Sequence, residues 1–211
     1  MELSALPRVN APLPWQAPAW QQLLQQLESG RFPHALLVAG MPGIGKQRLA
    51  LALARLLLCH SPSAGHNCGQ CSACEFSRSG AHGDFRWLQP EEGSRTIRID
   101  AIREVVNFAN RTAGFGQRKV LVIAPADAMN SNAANALLKS LEEPAANTHI
   151  LLVCDRLHGV PATIRSRCQL LRLPVLAADA ALAWLDTLTG ARASSSTLLD
   201  LARGRPLVAA Q

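Results

Sequence analysis

Five stretches of this chain are densely apolar, and their spacing alternates between two periods. HALLVAG (34–40), RKVLVIAPA (118–126) and THILLVCD (148–155) are short, nearly continuous apolar runs, the pattern of strands buried on both faces. QRLALALARLLLC (47–59) and NSNAANALLKSLEEPA (130–145) are rich in strong helix formers with apolar residues at helical spacing, the second stopped by Pro144. A further helix is expected over 20–28. In TIRIDAIREVVNFAN the pattern predicts a short alternating strand, then a helix capped by Asp100 that turns Ile102, Val105, Val106 and Ala109 to one side. A last short strand is expected within 163–173. Strands alternating with helices at this spacing predict an α/β fold, a parallel sheet covered by helices on both faces. Residues 1–18 hold four prolines and read as an extended lead-in, and 59–80 reads as an inserted loop rich in Cys, Gly and Ser.

From Pro174 the composition turns to Ala- and Leu-rich helices, which predicts two units: residues 1–173, and the beginning of a small helical domain over 174–211. The chain stops at Gln211 as a new helix opens, so a longer protein is expected.

Composition narrows the setting. With 211 residues and 48% hydrophobic content the chain can bury a full core. Its net charge of +6 would suit nucleic acid or an acidic partner, yet no run of five like charges occurs. The N-terminal stretch has no basic segment followed by an apolar one, and no apolar run reaches membrane-spanning length. A cytoplasmic location is the expectation, and in a reducing compartment clustered cysteines point to a metal before disulfides.

Three pieces of chemistry stand out. GMPGIGKQR (40–48) lies between a predicted strand and helix and supplies Gly40, Gly43, Gly45 and Lys46 of a phosphate-binding loop. Gln47 stands where a Ser or Thr hydroxyl would hold Mg²⁺. The next long strand, VLVI, runs into Ala124-Pro125, neither of which can ligate a metal or act as a base. Asp127 follows three positions later and reads as a helix cap. Hydrolysis should therefore be very slow even if ATP or ADP binds, and the loop alone leaves binding open. Cys59, Cys68, Cys71 and Cys74 follow C-x8-C-x2-C-x2-C, a spacing that can close a four-thiolate site. Structural Zn²⁺ is favoured, with iron not excluded by spacing; His60 and His66 read as loop histidines, and Cys154 and Cys168 as small buried hydrophobes.

HALLVAGMPGIGK, the four-cysteine insert, NALLKSLEEP (135–144) and TIRSRC (163–168) together resemble the clamp-loader branch of the AAA+ ATPases, from about Pro14 onward. The resemblance implies a RecA-like domain followed by a helical lid. Its departures resemble the subunit type that does not hydrolyse ATP: Lys46-Gln47 in place of Lys-Thr or Lys-Ser, Ala124-Pro125 in place of Asp-Glu, and Leu207 in the slot of the lid's sensor arginine. What it further implies is a stator in a five-subunit ring with gamma/tau motor subunits and a delta subunit, opening a sliding clamp and closing it on primed DNA. Arg167 would be an arginine finger reaching a neighbour's ATP, with Ser166 positioning it; Arg165 lacks motif support. The rival readings are an active ATPase with a divergent loop, in which Gln47 and Asp127 substitute for the usual ligands, and a zinc-dependent DNA-binding module.

Overall fold

The computed structural model describes residues 7–190 and 192–210, without the side chains of Arg192 and Ala193; the first six residues of the expected lead-in lie outside the described residues. Strands β1 (Ala35–Ala39), β2 (Phe85–Leu88), β3 (Lys119–Ile123), β4 (Thr148–Cys154) and β5 (Gln169–Arg172) form one parallel sheet in the order β2-β3-β4-β1-β5. The helices are α1 (Ala17–Glu28), α2 (Lys46–Leu58), α3 (Ser72–Ser79), α4 (Ile99–Ala109), α5 (Ser131–Glu142), α6 (Ala162–Arg165), α7 (Ala178–Thr189), α8 (Arg192–Leu201) and α9 (Pro206–Ala209).

Side-chain alternation splits the core in two. Leu36, Val38, Val120, Val122, Leu151 and Val153 pack under α1 and α2, while Ala35, Leu37, Leu121, Ile123, Ile150 and Leu152 pack under α4, α5 and α6. Both faces are buried, which is why these strands read as unbroken apolar runs. Helix α2 is buried along nearly its whole length and shares its core with the sheet and with Trp20 and Leu23 of α1. A third, smaller cluster of Ala181, Leu185 and Leu199 holds α7 and α8 together.

Several expectations need correction. The stretch 96–99 is not a strand: Ile97 makes a single bridge to Met129, and α4 already begins at Ile99 with Arg98 at its N-cap, so Asp100 lies in the first turn. The segment 59–80 is not all loop, because α3 forms inside it. Strand β2 went unread: it is an edge strand, only Phe85 is fully buried, and its charged neighbours mask the pattern. Asp127 does not cap α5; Asn130 does, its side chain accepting from Ala133 N at 2.8 Å.

The edge strand is held by a buried charge. Asp84, 2% exposed, accepts hydrogen bonds from the N–H groups of Gly114, Phe115 and Gly116 at 2.7–3.1 Å, and Lys119 Nζ lies 3.5 Å away, over the ring of Phe108. Burial alone would push this carboxyl up, but the three N–H donors and Lys119 outweigh it and hold it below its ordinary value. The depressed pKa makes the contribution full above the unfolded carboxylate value, about 4, and lost as pH falls through the lower folded value. Asp84→Ala strands a buried ammonium and three donors, and is expected to lower the unfolding free energy by about 3–5 kcal/mol. The urea midpoint measures this, and the variant's loss should shrink in acid, where the parent protein gives up the same carboxylate.

Candidate functional site

In a parallel sheet the C-terminal ends of neighbouring strands lie side by side, and the crevice where chain direction across the sheet reverses is the usual ligand site. Here β1 lies between β4 and β5, with Ala39 opposite both Cys154 and Arg172. The residues just beyond, Gly40, Asp155 and Leu173, therefore meet at one crevice.

The glycine loop closes on α2 through Gly43 and Gly45, whose φ values of 78° and 86° favour glycine. There is no room for a side chain at either position: a Cβ on Gly45 would sit 2.3 Å from Leu13 Cδ1, and one on Gly43 2.7 Å from Arg205 Cβ. The loop is thus pinned from both ends of the chain. Trp15 Nε1 and Gln16 Nε2 donate to Ile44 O at 2.9 and 3.0 Å, and Leu207 N donates to Gly43 O at 3.2 Å. A cavity of about 510 Å³ opens beside it, lined by Gly45, Lys46, Gln47, Pro125, Asp155 and Leu207 among others. Gln47 and Leu207 both face this cavity. Arg205 turns its Nε back to Ala202 O at 2.8 Å.

Lys46 does not point free into the cavity. Only 4% exposed, its ammonium donates to Gly40 O at 2.9 Å and Met41 O at 2.7 Å and pairs with Asp155 Oδ1 at 2.6 Å. Asp127 is committed nearby: its carboxylate accepts from Asp155 N at 3.1 Å and Arg156 Nε at 3.3 Å, tying the end of β3 to the end of β4. Asp155 was not singled out by sequence reasoning, and no local motif marks it; only the register of β1 with β4 brings it to Lys46.

Arg167 lies at the opposite edge of the sheet. It precedes β5 by two residues, at the N-terminal end of the strand, whereas the glycine loop sits beyond C-terminal ends. At about 3.3 Å per residue, the stretch from Arg167 to the crevice at Leu173 is on the order of 20 Å. The guanidinium is held outward: Nε and Nη2 reach Glu142 Oε1 at 2.7 and 2.5 Å, and Nη1 donates to Thr163 O at 2.9 Å and Ser166 Oγ at 3.3 Å. Ser166 is thus in contact with Arg167, while Glu142, the last residue of α5, is a partner that the sequence did not announce.

The four cysteines converge. Their sulfurs all lie within 4.8 Å of one another, with Cys59–Cys71 and Cys68–Cys74 at 3.9 Å and Cys59–Cys74 at 3.7 Å. Four thiolates bound to a tetrahedral ion at about 2.3 Å would stand about 3.8 Å apart, so the sulfurs fit such an ion. Helix α3 supplies part of the reason: Cys71 is its N-cap and Cys74 lies one turn on, placing both sulfurs on one side. Cys59 Sγ accepts from Cys68 N and Cys68 Sγ from Cys71 N, while Asn67 Nδ2 donates to Cys74 Sγ. Burial pushes the Cys59 thiol up to about 12, whereas the N–H groups of Gln70 and Cys71 draw Cys68 down to about 6. A divalent cation at their centre would deprotonate all four. Among the described residues no histidine joins this group, and Cys154 and Cys168 stand apart from it.

Asn67 also ties the insert to the lead-in, donating to Arg8 O at 2.8 Å and accepting from Asn10 N at 2.9 Å. Cys74→Ser is therefore expected to reduce the metal content seen by native mass spectrometry from one ion per chain to none, and to lower the melting midpoint. Adding a chelator to the parent protein should reproduce the same shift.

Among the described residues no helix is long and apolar enough to cross a membrane. The profile of the family described as DNA polymerase III, delta subunit, matches residues 15–177. DNA polymerase III subunit delta' of Pseudomonas aeruginosa is 43% identical over 93% of this chain and 60% of its own length; the chain spans about three fifths of the length of such relatives. Among solved structures, a DNA polymerase III gamma subunit-related protein of Thermotoga maritima superposes with a TM-score of 0.56 at 25% identity, over 74% of this chain and 46% of that one. The Thermotoga maritima RuvB Holliday junction branch migration motor reaches a TM-score of 0.58 at 15% identity, over 93% and 58%, a likeness of fold. The fold is the RecA-like one of AAA+ proteins, and the chain belongs to the DNA polymerase III delta subunit family.

Proposed function

We propose that this chain is the non-hydrolysing stator part of a clamp loader, related to subunit delta' and not to the motor subunits. It would sit in a five-subunit ring with gamma/tau and delta subunits, and help open the sliding clamp and close it on primed DNA. In this reading 1–173 is the nucleotide-binding-like domain and 174–211 begins the helical lid. Gly40, Gly43, Gly45, Lys46 and Gln47 are the remains of a phosphate loop. Cys59, Cys68, Cys71 and Cys74 hold structural Zn²⁺: four sulfur ligands leave no open position for water, and sulfur-only tetrahedral sites favour this ion.

The catalytic contribution falls to Arg167, positioned by Ser166 and aimed at the ATP of an adjacent motor subunit. The observation that carries this reading is the placement of Arg167: outward-facing and at the far edge of the sheet from its own loop, it can serve a neighbour's nucleotide and not its own. A guanidinium supplied from a neighbour stabilises charge spread over the transferring phosphoryl oxygens and can contribute on the order of 10³–10⁵ in rate. The loop's own chemistry supports the complementary half, since Lys46 is already paired, the amide of Gln47 is a bulkier and poorer Mg²⁺ ligand than a hydroxyl, and the side chains of Ala124-Pro125 offer a metal nothing.

Arg167→Ala should lower ATP turnover of the reconstituted loader at the site it faces, by about 10³ at that site, while the ring still assembles on a sizing column. Arg167→Lys should recover little of it, because an ammonium lacks the planar fork. Unchanged turnover with Arg167→Ala would remove the finger assignment. Motor-like hydrolysis by the purified chain alone would instead favour an active ATPase with a divergent loop.

A further inference from the structure

A phosphate-loop lysine binds nucleotide by offering its ammonium to phosphate oxygens. An ammonium has three donors. Here Gly40 O, Met41 O and Asp155 Oδ1, at 2.9, 2.7 and 2.6 Å, match that number. Both residues line the cavity, but the lysine is 4% exposed and Asp155 43%, so the carboxylate is the more open of the two charges. The pairing is set by the sheet and not by a loop's chance conformation. Asp155 directly follows Cys154, which is registered against Ala39, and its backbone N–H is fixed by Asp127.

We infer that Asp155 is the loop's built-in anion: it takes the place of a phosphate on Lys46 and keeps the cavity from binding nucleoside polyphosphates. It does so in two ways. It occupies the cation that a phosphate would need, and it lines the cavity with negative charge that a polyphosphate would have to approach. The ammonium's charge is thereby balanced within the chain. This inference concerns the chain's own loop and stands independently of what Arg167 does for a neighbour.

Asp155→Asn retains size and the backbone N–H that Asp127 accepts, and removes only the charge; Asp155→Ala removes the side chain altogether. Fluorescently labelled ATP and ADP, and inorganic pyrophosphate by calorimetry, would be titrated against the 211-residue chain and both variants, with urea midpoints recorded to show that each is folded. The expected result is a gain of at least tenfold in affinity for ATP and pyrophosphate in both variants, abolished when Lys46→Ala is added to Asp155→Asn. Wild-type affinity within threefold of the variants would overturn the inference. So would a gain that survives the loss of Lys46, since the released ammonium would then not be what binds. The readout is binding and not turnover, so its failure leaves the Arg167 assignment untouched, and the failure of Arg167→Ala to slow the ring leaves this one untouched.

Discussion

The parallel pairing of β1 with β4 on one side and β5 on the other is the constraint on which the rest of the molecule depends. Because all three strands run the same way, everything after β1 and β4 gathers at one edge, and everything before β5 at the other. The glycine loop, Asp155 and the Ala124-Pro125 turn share the first edge, and Arg167 with Glu142 takes the second. Two candidate activities of opposite kind, a closed phosphate loop and an outward guanidinium, are thus separated by the length of a strand. No rotation of a side chain could merge them.

The sheet was legible because its strands are buried on both faces: ALLVA, KVLVI and THILLVC carry hardly a polar residue, and that pattern survives without knowledge of neighbours. The four cysteines were legible for a different reason, since sulfur ligands at two-residue gaps have few other uses in this setting. What escaped were groups whose meaning comes from distant partners. Asp155 and Glu142 look like ordinary surface acids until the fold brings Lys46 and Arg167 beside them. Asp84 looks like a turn residue until the 114–116 backbone wraps it. Strand β2, on the sheet edge with Arg86 and Trp87 only partly covered, has no face clean enough to show a period.

The cysteine cluster and the lead-in solve one problem together. Residues 59–80 contain too few large apolar side chains to fold on a core of their own, so they are fixed by four converging sulfurs and, beside them, by Asn67. Asn67 reaches both the backbone near Arg8 and the sulfur of Cys74, and Arg55 in α2 bonds to Pro7 O and the Asn10 side chain. The lead-in is therefore strapped across the insert and α2 before it arrives, through Trp15 and Gln16, at the glycine loop. Pinning the loop from this side stabilises one backbone shape without any ligand.

The ion pairs of Lys46 and Arg167, one at each edge of the sheet, differ in a way that separates their roles. Lys46 is sealed at 4% exposure, and removing its carboxylate leaves a desolvated charge, so this pair resists exchange with an incoming anion. Arg167 and Glu142 are 34% and 48% exposed, and a solvated pair of this kind contributes only about 0.2–1 kcal/mol. Such a pair can hold a guanidinium extended without binding it so tightly that a phosphate could not displace the carboxylate. On the proposed finger role, Glu142 would be the resting partner of Arg167, with Thr163 O and Ser166 Oγ holding the other side of the fork. One pair seals its cation and the other leaves its guanidinium within reach of solvent, so the two edges of the sheet differ in what an incoming anion would meet.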